Sequence, residues 1–127
     1  MFFSRKSPEK LERARVTAAQ ALVYAECGSR EAWKMLDGDA LAVLWGDAGA
    51  LAATVPFALA RLCSQLADHH RTGVRAQVVH TLVLVGATRP EVVAGALYRL
   101  AHDESRKVQR LAQEALTDLN LAAHAYA

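Results

Sequence analysis

Residues 53–86 read ATVPFALARLCSQLADHHRTGVRAQVVHTLVLVG, and residues 87–120 read ATRPEVVAGALYRLAHDESRKVQRLAQEALTDLN. Laid over each other at a shift of 34, the segments match Ala53 with Ala87, Thr54 with Thr88, Pro56 with Pro90 and Ala60 with Ala94. Leu66 then meets Leu100, Ala67 meets Ala101, Val74 meets Val108, and Leu82 meets Leu116. The matched positions are punctuation or core types, and the polar positions differ. Stacked repeats diverge this way, because neighbouring units constrain each other's core and leave the outer face free.

Each copy holds two helical periods. In the first copy the spacing predicts a helix from about Val55 to Asp68, burying Leu59, Leu62, Cys63 and Leu66. A second runs from about Arg71 to Val85, burying Val74, Val78, Leu82 and Val85, with Gly86 as its cap. The second copy repeats this from Pro90 to Ala101 (Val93, Leu97, Leu100) and from Glu104 to Leu121 (Val108, Leu111, Ala112, Ala115, Leu116, Leu119). Val79, Val83 and Leu84 make the second helix of the first copy apolar nearly all round, which suits a central position. The last helix carries Lys107, Gln109, Arg110, Gln113, Glu114 and Asp118 outward and suits the end of a stack.

Upstream, Ser7-Pro8-Glu9 is a helix start: a capping hydroxyl, a proline where no hydrogen bond is lost, and an acid at the positive end of the dipole. The helix extends to about Glu26 and stops at Cys27-Gly28. A short helix is expected over Arg30–Leu36, another from about Asp39, and a break or bend at Gly46-Asp47. The whole of residues 8–54 reads as a degenerate N-terminal cap on repeats at 55–86 and 88–121, in one domain.

The second copy's Leu97-x-x-Leu100-Ala101-His102-Asp103-Glu104-Ser105-x-x-Val108, continuing to Ala112-x-x-Ala115-Leu116, resembles a HEAT-type repeat, as do Leu62, Leu66, Asp68 and Val74-Arg75 in the first copy. The second copy has Val108-Gln109 where the family has Val-Arg. Tetratricopeptide units share the 34-residue period, but their Trp, Gly-Tyr and Pro landmarks are not in place here. The resemblance implies an all-α fold of about six to seven helices: a right-handed stack of antiparallel hairpins, used as a scaffold or binding surface and carrying no chemistry of its own.

Composition agrees with the class. Of 127 residues 53% are hydrophobic, mostly Ala, Leu and Val, and only three prolines interrupt the chain. The net charge of +2 dictates no partner. Cys27 and Cys63 have no C-x-x-C spacing and read as reduced, buried thiols of a cytoplasmic protein. Met1-Phe2-Phe3 runs straight into Ser4-Arg5-Lys6, the wrong order for a secretory leader. Residues 40–60 are nearly all apolar, yet Gly46, Asp47, Gly49 and Pro56 interrupt them, so no membrane span is expected.

No Ser–His–Asp order, phosphate loop or paired Glu set points to an enzyme, and no cofactor is implied. Asp68-His69-His70 and His102-Asp103-Glu104 fall in equivalent turns. They read as exposed turn and capping residues rather than metal ligands, since adjacent histidines do not readily chelate one ion. Tyr98 and Arg99 are expected at the surface, the tyrosine packed on a neighbouring helix. Arg71, Arg75, Arg106, Lys107 and Arg110 lie in the first turns of the two second helices and are read as one exposed ridge. The function expected is capture of a protein partner, an acidic one fitting best. Nucleic acid on the same ridge, or a homo-oligomer using the Ala40–Ala60 region, are the competing readings.

Overall fold

The computed structural model describes residues 7–121, and among them the chain is all-α, with no strand. The helices are α1 (Pro8–Glu26), α2 (Gly38–Gly46), α3 (Ala48–Thr54), α4 (Pro56–Leu66), α5 (Thr72–Gly86), α6 (Pro90–Leu100) and α7 (Arg106–Asp118), with a 3-10 turn at Ala32–Met35.

The internal repeat is reproduced in the backbone. Pro56 and Pro90 open α4 and α6, each of 11 residues, and both follow residues of nearly the same unusual conformation: Val55 at φ −135°, ψ 57° and Arg89 at φ −138°, ψ 66°. Arg71 and Ser105, which precede α5 and α7, also agree within a few degrees. Proline tolerates the first helical position and forbids the α conformation before it, so the same residue fixes the same bend twice.

The step of 34 also reaches further back than the sequence comparison detected. Gly38, Thr72 and Arg106 begin α2, α5 and α7 in turn. Ala40, Val74 and Val108 are all buried, as are Leu44, Val78 and Ala112, and Ala48, Leu82 and Leu116. A third, smaller-cored copy of the second helix therefore lies in residues 38–52. Gly46 and Asp47 split it into α2 and α3, with Asp47 capping one and opening the other.

Helix α5 packs against α3, α4, α6 and α7, the central position that its nearly all-round apolar sequence implies. Beyond the exposed Thr72 and Gly73 at its start, its outward residues are Gln77, His80 and Leu84. Helix α1 covers the other end through α2, α4 and the 3-10 turn. The expected core faces are buried: Leu59, Leu62, Cys63 and Leu66 on α4, Val93, Leu97 and Leu100 on α6. The apolar 40–60 segment is divided among α2, α3 and α4, and no helix among the described residues is long and apolar enough to cross a membrane.

Several local expectations change. Helix α7 stops at Asp118 rather than Leu121. Asn120 takes φ 59° there, and Leu121 N–H donates back to the Leu116 carbonyl at 2.7 Å. Gly28, at φ 101°, ends α1 by the same left-handed device, with Ser29 N–H donating to the Tyr24 carbonyl. Gly86 is not a cap of this kind: α5 runs on to right-handed Ala87, and Gly86 is buried where α5 meets Val93 and Leu119. The predicted Arg30–Leu36 helix shortens to the 3-10 turn. Cys27 is exposed rather than buried, whereas Cys63 is in the core, where burial pushes its thiol up to about 12.

Candidate functional site at the turn edge

Polar residues collect where α4 turns into α5 and α6 turns into α7, and equivalent positions in the two turns do equivalent work. Asp103 Oδ2 accepts the Ser105 N–H at 2.9 Å, closing the second turn. In the first turn His69 stands at that place, and its Nδ1 accepts the Arg71 N–H at 3.1 Å. Arg75 donates to the His69 and His70 carbonyls at 2.7 and 3.2 Å. Gln109, its counterpart in α7, donates to the Asp103 carbonyl.

Arg75 does one thing Gln109 does not. Its Nε and Nη2 reach Asp103 Oδ1 and Oδ2 at 2.9 and 3.1 Å, a bidentate pair joining the two turns. Both side chains are almost entirely enclosed, at 7% and 10% exposure. This corrects the reading of Arg75 as part of an exposed ridge. An arginine between buried Val74 and Ala76, on a helix with one narrow outer strip, folds back over the turns instead of extending into solvent. Gln109 bonds within its own turn only. A buried pair of this kind fixes the register between layers more than it adds net stability.

A second staple runs along the neighbouring edge. Gln65 donates to the Ser29 carbonyl at 2.7 Å and accepts the Trp33 N–H at 3.1 Å, tying α4 to the 3-10 turn. Its counterpart Arg99 donates to Ser64 Oγ at 2.9 Å and to the Asp68 carboxylate at 3.3 Å, tying α6 to α4. Gln65 and Ser64 carry no expectation from the sequence. The signal was available: positions 65 and 99 coincide at the 34-residue shift and are polar in both copies. Tyr98 is partly exposed and its ring tilts against His102 at 4.9 Å.

The other four arginine and lysine positions differ from Arg75. Arg71, Arg106, Lys107 and Arg110 are exposed, the first three at the starts of α5 and α7. His69, His70, His102, Asp103 and Glu104 line a shallow cleft with Arg75, but no group of three potential ligands among the described residues could hold a metal ion.

His69 is held toward its neutral form. Burial lowers its pKa from the ordinary 6.5, and positive charge on His70, Arg71 and Arg75 adds to the effect. Trp33 meets its ring edge-on at 6.1 Å, and His70 stacks on it at 4.5 Å. The unfolded chain binds the proton more readily than the native one. This contribution to stability is therefore present above 6.5 and lost as pH falls through the lowered native value. A proton on Nδ1 also removes the acceptor that closes the turn. The melting temperature should fall on acidification from about pH 7.5 to about pH 5, and His69→Asn, which keeps an acceptor without titrating, should reduce that slope. Equal slopes in the two proteins would show that His69 is not responsible.

Comparison with known proteins finds no matching family model, no matching curated protein and no matching solved structure. The functional reading therefore rests on the geometry alone.

Proposed function

We propose that this chain is a non-enzymatic helical-repeat module that captures an acidic protein partner along Arg71, Arg106, Lys107 and Arg110. In this reading the units form a HEAT-like, right-handed stack of antiparallel hairpins in a cytoplasmic protein. The first and second helices of each unit make its two layers.

One observation carries the proposal: cations stand where helix stability disfavours them. The N-terminus of a helix is its positive end and prefers acids or capping hydroxyls. Asp37 caps α2 through Ala40 N–H at 2.8 Å, and Ser105 caps α7 through Val108 N–H at 3.4 Å. The equivalent residue before α5 is Arg71, which makes no side-chain cap. Neither α5 nor α7 has an acid in its first turn. Residues that break a local rule at exposed positions are the ones a binding role explains.

The test separates stability from capture. Arg71→Ser is expected to stabilise the fold by about 0.5–1 kcal/mol, because Ser105 shows the backbone accommodates that cap, while weakening partner capture. Lys107→Glu with Arg110→Glu should weaken capture with little change in melting temperature. Undiminished capture in both variants would reject the ridge. Nucleic acid on the same cations is the second reading, favoured by their place at helix N-termini. It would show as a gel shift lost steeply with salt. A homo-oligomer finds less support in residues 40–60 than expected, since Phe57 is their one exposed large apolar residue. Val16, Val23 and Tyr24 on α1 are the larger exposed group.

A further inference from the structure

We infer that the cleft between the 3-10 turn and the ends of α4 and α6 is a pocket for an acidic peptide segment carrying an aromatic side chain. Arg30, Trp33, Ser64, Gln65, Asp68, His69 and Arg99 line about 540 Å³. That volume is in the range of peptide and small-ligand pockets, about 300–1,000 Å³. The cleft is argued from its own residues and does not depend on the ridge.

The floor is rigid. Both ends of the Gln65 amide are committed, and Arg99 is held by the Ser64 carbonyl and hydroxyl. A ligand therefore meets a preformed surface and orders little on binding. Trp33 is half-buried, and His69 meets its ring edge-on, which fixes the indole against the cleft. Tryptophan and arginine are the residue types that most often dominate binding energy. Two arginines, Arg30 and Arg99, and one carboxylate, Asp68, line the same space. The Arg99–Asp68 pair is long and solvent-exposed, with Asp68 78% exposed. A pair of that kind contributes little to folding, about 0–1 kcal/mol, so an incoming carboxylate displaces Asp68 at small cost. The excess cation favours an anionic occupant, and the indole favours one with a ring beside the charge.

Trp45→Phe leaves Trp33 as the only indole and makes its fluorescence report on the cleft. The probes are a blocked Glu-Glu-Phe-Glu-Glu peptide, its Lys-Lys-Phe-Lys-Lys counterpart, and a single-stranded RNA hexamer. The acidic peptide is expected to change Trp33 emission saturably, and the lysine peptide is not. Arg30→Gln removes an exposed side chain and should weaken binding about tenfold, the loss of one charge-assisted contact. Lys10→Gln, about 24 Å along α1 from the cleft end, should not. The ridge variants Lys107→Glu and Arg110→Glu should bind this peptide as the parent does, so failure of either site is seen separately. No saturable change with the acidic peptide, or equal affinity in Arg30→Gln, would overturn the inference. Tighter binding of the RNA than of the peptide would overturn it in favour of nucleic acid.

Discussion

Replacing Arg75 by alanine is expected to lower the unfolding free energy by about 3–5 kcal/mol, because it leaves Asp103 enclosed without its counter-charge. The His69 and His70 carbonyls lose a donor at the same time. Against a total of about 5–15 kcal/mol for a domain, that is a large share, and the midpoint of thermal unfolding should fall by roughly 10 °C or more. Arg75→Lys should recover only part, since an ammonium cannot serve both carboxylate oxygens and the turn carbonyls in one fork. Chemical denaturation read by circular dichroism measures all three proteins. A loss below about 1 kcal/mol, the range of an exposed ion pair, would mean that the guanidinium is solvated.

The second large effect is steric. A Cβ on Gly86 would sit 2.6 Å from Leu119 Cδ1 and 2.8 Å from Val93 Cγ2. Val93 is fully buried at the start of α6 and has nowhere to move. Gly86→Ala should therefore cost about 1–3 kcal/mol, as overpacking does, although alanine is the better helix former. Gly73, near the start of the same helix, meets nothing within 4 Å, and Gly73→Ala should be neutral or stabilising by about 0.5–1 kcal/mol. Adding Leu119→Ala to Gly86→Ala relieves the closer contact and should recover part of the loss. Alanine effects of the same sign at 73 and 86 would show that helix propensity, not close approach, governs both sites.

Elements of the fold were unequally legible in the sequence. The proline-led helices α4 and α6 were readable because Pro56 and Pro90 act locally and their core leucines are large. The copy at 38–52 was hidden because its core residues shrink: Ala40 and Ala48 occupy the places of Val74 and Leu82, and small residues leave a weak period. The turns between these helices were legible as turns, but the helix ends were carried one or two residues into them, as at Asp68 and Glu104, because Asp and Glu are compatible with helical runs.

The site was legible in part. Exposure of Arg106, Lys107 and Arg110 followed from their place off the apolar stripe of α7, and that of Arg71 from its place in the turn before α5. Burial of Arg75 was implied by the all-round apolar character of its helix, but arginine is so often at the surface that residue type outweighed register. The Gln65 and Arg99 staples depend on which helix lies beside which, information that a single sequence carries only through the repeat itself.

The two 34-residue copies are locked together at the turn edge, with Arg75 of the first holding Asp103 of the second. A double-mutant cycle on Arg75→Ala and Asp103→Ala, measured by denaturant unfolding, tests it directly. Direct contact in an enclosed site predicts a coupling energy of about 1.5–3 kcal/mol, with the double variant much less destabilised than the sum of the singles. Additive effects within about 0.5 kcal/mol would mean that the two side chains do not meet, and would contradict the lock between the two turns.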